Sequence, residues 1–497
     1  VTRPAIPRGH IPTGWLISIL ATWLGLSQLL LWRFLNVMPV WAYPLGLLLL
    51  GALVWGLVRT TARLPAPEQT GPAPGALLIC FAVALLLLIL GGEGRFFYSN
   101  IDWQVRDAVL RDMAVNPWPF VYTARAVPDV LRAPIGMFFV PALAWKAAGP
   151  RAADIALLLQ NAALLSILLA LGSQLFAHRW QKAAALLILI FFSGPDIVGQ
   201  YSIWGTVNDR IEIWSGLQYS SNITLAFWVP QHALAGWIAA LLFLLWRARR
   251  IPLGAFLALL PLTALWSPFG LLGGLPFAAL AAFQDLTARR LSHTDIAVPA
   301  LATLLVIPTL LYLAAAGDDV GIRFYPIPWI RYAFFEAVEV LPLLVPVLVW
   351  AIRQRADIAL LLVVAACLIL MPFVQIGWSL DFMMRASIPA LTILALLVIH
   401  RLFQPGMAPA KLWLVIILLL GSATGIIQIR RALINEPSPR GACTFFKAWD
   451  QSFAKFPKGS YLAPLPDMPT WLRPENPTRA SATEPEKCWP GKWMQAR

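Results

Sequence analysis

Long apolar runs recur along most of the chain, and no other feature constrains its fold as strongly. Each run is about 16 to 24 residues, close to the roughly 20 that a helix needs to cross the hydrocarbon core of a bilayer. Inside lipid every backbone N–H and C=O must find its partner within the chain, so only helices and closed barrels can span. Unbroken leucine-rich runs of this length select helices over alternating strands. Composition agrees: 59% of the 497 residues are apolar and 12% are charged, against about 25% charged in soluble domains. The sequence therefore predicts an all-α, polytopic integral membrane protein.

About thirteen spans are expected. They lie near 14–35, 40–58, 76–91, 153–176, 183–199, 232–247, 252–266, 270–284, 295–316, 334–352, 357–374, 387–403 and 412–429. The basic N-terminal stretch followed by a long apolar run reads as an uncleaved first span, because the run exceeds an ordinary signal-peptide core and a second run follows at once. Basic clusters at Arg59 and Arg63, His178, Arg179 and Lys182, Arg247 to Arg250, Arg289 and Arg290, Arg353 and Arg355, and Arg401 and Lys411 then fall on one side. The positive-inside rule makes that side cytoplasmic, with the N-terminus. It also accounts for much of the net charge of +14, and no basic domain is left over to bind nucleic acid. The loops 92–152, 200–231, 317–333 and 375–386 fall outside, as does a tail from about residue 436. Such a topology suits a bacterial inner membrane. Residues 134–148 are apolar but short, with Pro134 and Pro141. Counting them as a crossing would reverse the charge pattern downstream, so they read as an interfacial or re-entrant helix.

Cys80 and Cys367 sit inside apolar runs. Cys443 and Cys488 are the cysteines of the polar tail, and a pair in a small segment facing an oxidising compartment suggests one disulfide. The tail 436–497 reads as a small extracytoplasmic appendage to the transmembrane domain 1–435.

The first outer loop concentrates charge beside aromatics. A helix over 101–114 places Asp102, Val105, Arg106, Val109 and Met113 on one face, with Asp107 and Arg111 off it. This stripe fits a solvated amphipathic helix whose charges pair with each other and with lipid headgroups. It equally fits a helix at a polar cavity, with Asp102 as general base and Arg106 holding an anionic group; Asp107, Asp112 and Glu93 are the alternative acids, and Asp107 is also a candidate substrate contact. Other outer polar groups are Asp196, Arg323 and Arg385. Asp381 and Arg385 stand four apart, the spacing of a helical ion pair, and Arg385 is also a candidate phosphate contact. Arg323 and Arg331 flank an aromatic loop that reads as an interfacial anchor or a sugar groove. His232 is the one histidine outside, a structural residue or a ligand contact. No Walker A, dinucleotide-binding glycine motif, HExxH or Cys/His zinc spacing occurs.

A chain whose first large outer loop starts just after a span and carries Asp102, Arg106 and then Leu110-Arg111-Asp112, followed by Pro117-Trp118-Pro119, Pro141-Ala142-Leu143, Lys146 and Gly149, resembles the GT-C superfamily of membrane glycosyltransferases. The chain has three spans before that loop, where the superfamily usually has one. The resemblance implies a sugar linked to polyprenyl phosphate as donor substrate, a lipid or glycan acceptor, and an outer-loop acid as base. It leaves any divalent metal open. Two other classes fit the same composition: a polysaccharide polymerase or ligase, and a transporter or lipid flippase, although charges gathered at one face argue against transport.

Overall fold

The fold is described from a computed structural model for residues 9–65, 69–315, 320–377, 379–481 and 485–489. Among these residues the chain is a bundle of apolar helices capped at one end by irregular segments and very short strands. Seven helices are long and apolar enough to cross a bilayer: Thr13–Leu35, Ala42–Thr61, Pro150–Leu175, Pro268–Thr287, Thr294–Ala314, Asp381–Phe403 and Ala408–Ile434. An eighth is reached if Trp329–Glu339 and Leu341–Gln354, which meet at a 64° bend, count as one. The multi-pass helical membrane architecture therefore stands, while the expected count of about thirteen spans is not reached by helix length.

The differences have local causes. Pro74–Leu90, Leu253–Leu262 and Ile358–Phe373 are apolar but short. The expected span at 183–199 is two helices, Arg179–Ile190 and Asp196–Trp204. Its apolar run is interrupted by Phe192-Ser193-Gly194-Pro195, where proline supplies no N–H and its ring disfavours continuing the helix. The freed carbonyl of Phe192 accepts from Asn222 N at 3.2 Å. The segment expected to be interfacial forms the helix Phe139–Ala148, about 15 Å long at 1.5 Å per residue, half the thickness of a hydrocarbon core. Gly149, with φ of +84°, turns the chain sharply into Pro150–Gly172, a backbone conformation that glycine adopts without strain.

Within the bundle Thr13–Leu35 packs on Ala42–Thr61, Pro74–Leu90 on Pro150–Gly172, and Pro230–Arg247 on both Pro268–Thr287 and Ile388–Phe403. Some buried polar side chains find their partners on other helices. Gln28 donates to Leu262 O at 3.1 Å and accepts from the Thr309 hydroxyl, joining three helices at one point.

The segments assigned to one membrane face by charge counting meet one another. β1 (Phe120–Val121) pairs in parallel with β6 (Thr478–Arg479), and β2 (Asp129–Leu131) pairs antiparallel with β5 (Leu462–Pro464). The segment 92–152 and the tail from residue 436 are thus hydrogen-bonded to each other. β3 (Ile322–Phe324) pairs antiparallel with β4 (Val374–Ile376), tying two later loops together. Cys443 and Cys488 are bonded, with Cα atoms 5.0 Å apart; Cys80 and Cys367 are free and buried.

Candidate functional site

The helix Ile101–Val115 starts at Asn100, whose side chain accepts from Asp102 N at 3.0 Å and so caps the first turn. The same Asn100 donates to Phe227 O at 3.0 Å, and Trp103 Nε1 donates to that carbonyl at 2.9 Å. Arg106 donates to Trp228 O. The first turn is therefore seated on the last carbonyls of Asn222–Trp228, a helix C-terminus whose dipole favours a cation. Most of the helix is buried, so it is not the solvated amphipathic helix that one sequence reading allowed.

Arg106 Nη2 lies 3.2 Å from Asp102 Oδ2, with Arg106 2% and Asp102 25% exposed. A second ion pair, Arg385 to Asp381 at 2.8 Å, comes from the short helix Asp381–Ala386. The two pairs act on each other electrostatically. Burial raises the Asp102 pKa, Arg106 and Arg385 oppose the rise, and Asp381 adds to it. Tyr461, from the tail, lies within the field of all four charges, and burial raises its phenol pKa. It is therefore a neutral O–H donor at physiological pH. Its ring is held by Phe445 and Trp449, with centroids 5.3 and 5.5 Å away.

His232 is buried, and the charges of Arg385 and Arg106 reach it. Its Nδ1 is 2.9 Å from Ser267 Oγ, and Ser267 in turn accepts from Gly270 N at 3.0 Å. Asp102 and Arg106, His232, and Arg385 thus come together from three separate stretches of sequence. Tyr461 and Ser267 join them and were not singled out from sequence. Ser267 had a legible signal, a serine before proline at a helix start; Tyr461 had none.

The remaining expected site residues lie elsewhere. Asp107 pairs with Arg95 at 2.9 Å, Arg95 also holds Asp154 at 3.0 Å, and Arg440 reaches Asp154 from the tail. This closed network fastens the tail to Pro150–Gly172, and burial raises the Asp107 pKa against the pull of Arg95. Asp196 accepts from Ser193 at 3.0 Å and Thr424 at 2.8 Å, in a buried carboxyl group with Glu212 and Glu339. Glu212 accepts from Ser221 N and Gln218, both at 2.8 Å, and burial beside Asp196 pushes its pKa up to about 8. Arg323 stands on β3, whose residues are all exposed. Among the described residues no group of three or more His, Cys, Asp or Glu side chains is arranged to hold a metal ion.

Chemically, the Asp102 group offers a partly open carboxylate, a partly open guanidinium and a phenol side by side. That combination can accept a proton and hold an anion at once. The chain matches no family model, no curated protein and no solved structure.

Proposed function

We propose that the protein is a membrane glycosyltransferase that moves a sugar from a polyprenyl-phosphate donor to a lipid or glycan acceptor at the extracytoplasmic face. One observation carries the reading: two acid–arginine pairs, Asp102–Arg106 and Asp381–Arg385, whose charges act on each other and on the Tyr461 phenol. The acceptor hydroxyl attacks the anomeric carbon and a new C–O bond forms. The bond from that carbon to the phosphate oxygen breaks, and its electron pair leaves with polyprenyl phosphate. Asp102 takes the hydroxyl proton.

Arg106 is held by both Asp102 and the Trp228 carbonyl, which suits it to fix the base in place. Arg385 is more open, and exchanging Asp381 for a phosphate oxygen would let it neutralise the leaving group. Its planar fork suits phosphate better than an ammonium does.

The test uses purified protein in lipid nanodiscs with radiolabelled polyprenyl-phosphate sugars. Asp102→Asn is expected to lower transfer by about 10²- to 10⁴-fold, the usual worth of a general base, with donor binding retained. Full transfer by a folded Asp102→Asn protein would overturn the assignment.

A further inference from the structure

A cavity of about 570 Å³ opens on the other flank of the tail helix Phe445–Phe453, away from Tyr461. Its walls include Arg125, Phe446, Lys447, Asp450, Phe456 and Lys458. Phe445 and Trp449 of the same helix pack on Tyr461, so a single helix separates this cavity from the wall of the Asp102 site. The volume falls within the roughly 300–1,000 Å³ typical of small-ligand clefts and gives room for a short oligosaccharide.

The lining carries three cations and one carboxylate, and Asp129, paired with Arg125, adds a second, so one positive charge is in excess. Each cation is braced from within the protein. Arg125 Nε donates to Asp129 at 2.7 Å, Lys458 donates to Asp450, and Lys447 donates to Pro485 O. Lys458 Nζ also lies 5.3 Å from the Phe446 ring centroid. A lysine ammonium has three donors, so these bonds orient Lys447 and Lys458 and leave donors over on both. Phe456 is 47% exposed, an apolar ring in a polar rim. Aromatic faces attract the weakly positive C–H groups of a sugar ring, while cations bind a uronate or phosphate substituent.

We infer that this cavity binds an acidic oligosaccharide, one bearing uronate or phosphate groups, and that it holds the acceptor glycan beside the transfer site. The naming of the ligand as acceptor rests on the glycosyltransferase reading; the binding of an acidic saccharide does not.

Binding to the full chain in nanodiscs is measured by microscale thermophoresis, with tetragalacturonate as acidic probe and maltotetraose as neutral control. The parent is expected to bind the acidic probe at least tenfold more tightly than the neutral one. Lys447→Ala with Lys458→Ala is expected to weaken that binding tenfold or more, and Phe456→Ala about fivefold, with the melting temperature unchanged. Asp102→Asn is expected to bind as the parent does, so loss of transfer and loss of glycan binding are read separately. Equal affinity for the two probes, unaltered binding in the double variant, or complete displacement of the acidic probe by millimolar inorganic phosphate would each overturn the inference.

Discussion

Asp112 is the point at which the tail is tied to the helix that carries Asp102, and removing it gives a calculable effect. The residue is fully buried. Its carboxylate accepts from Phe445 N and from the Tyr122 hydroxyl, both at 2.8 Å, and from Arg111 at 3.0 Å. Burial nevertheless pushes its pKa up to about 6, against the pull of these three donors. Asp112→Ala leaves the Phe445 N–H and the Tyr122 hydroxyl buried without an acceptor, at about 1–3 kcal/mol each. At pH 7 it also relieves the burial of a carboxylate. The rise from 3.8 to about 6 corresponds to about 3 kcal/mol. The sign follows from the direction of the shift. A folded pKa above the unfolded one contributes stability that is complete below about pH 4 and is lost as pH rises through about 6. Alanine should therefore cost about 2–6 kcal/mol at pH 4 and about 3 kcal/mol less at pH 7.5. Asp112→Asn keeps a neutral acceptor and should remove most of the pH dependence. Hydrogen–deuterium exchange of 445–453 at pH 4, 6 and 7.5, corrected for intrinsic rates, reads the opening of the tail directly. If the gap between parent and Asp112→Ala were absent at pH 4, or widened with pH, the reasoning would fail.

Glu212, with its pKa pushed up to about 8, should make the protein less stable as pH rises from 6 to 9. The shift is upward, so its stabilising effect is full below about 4.5 and lost through 8; Glu212→Gln should flatten the melting temperature over that range, and an unchanged slope would exclude Glu212 as its source. Tyr461→Phe keeps the packing on Phe445 and Trp449 but removes the phenol. It should lower kcat/KM for transfer about tenfold, roughly the worth of one hydrogen bond of 1.4 kcal/mol, with no change in melting; wild-type kinetics would reduce Tyr461 to a wall. Asp154→Ala leaves Arg95 with Asp107 as its acid partner and takes the carboxylate from Arg440, a loss at the low end of the about 3–5 kcal/mol for a broken buried pair. Faster protease cleavage of the tail than in the parent is the expected readout, and equal rates would count against the network as its fastening.

Much of the helical architecture was legible because lipid imposes a single requirement, an apolar run long enough to cross. Where the run continued but the backbone could not, the reading overshot. At 183–199 apolar side chains persist across Gly194-Pro195, and hydropathy is blind to a missing N–H. The strands were invisible for a different reason: β1 and β6 have two residues each, too few for alternation to register. That is why the tail looked detached. Among the site residues, Asp102 and Asp107 have similar neighbours in sequence, and local spacing does not separate them. Their roles diverge through partners far along the chain, Arg385 for one and Arg95 with Asp154 for the other. Tyr461 became visible only once β5 paired with β2 and carried it to the Asp102 helix.

The distribution of exposure among the ion pairs then says which charges are available for chemistry. Desolvating a pair is expensive, and a fully buried pair whose partner is removed destabilises the fold strongly. Asp107, Asp112 and Asp154 are of that kind, each buried and each bonded into the network that joins the tail to Ile101–Val115 and Pro150–Gly172. None can release its partner to a substrate without loosening that joint. Asp102, Asp381 and Arg385 instead keep about a quarter of their side-chain surface open. A substrate anion can displace Asp381 from Arg385, and a hydroxyl can approach Asp102, at the cost of one partly solvated contact rather than a buried one. Arg106 is the buried exception, and its second bond, to the Trp228 carbonyl, holds it independently of Asp102. Two of the carboxylates that fasten the fold, Asp107 and Asp112, and the one proposed to take a proton are thus neighbours on a single helix, separated by which side of it the water reaches.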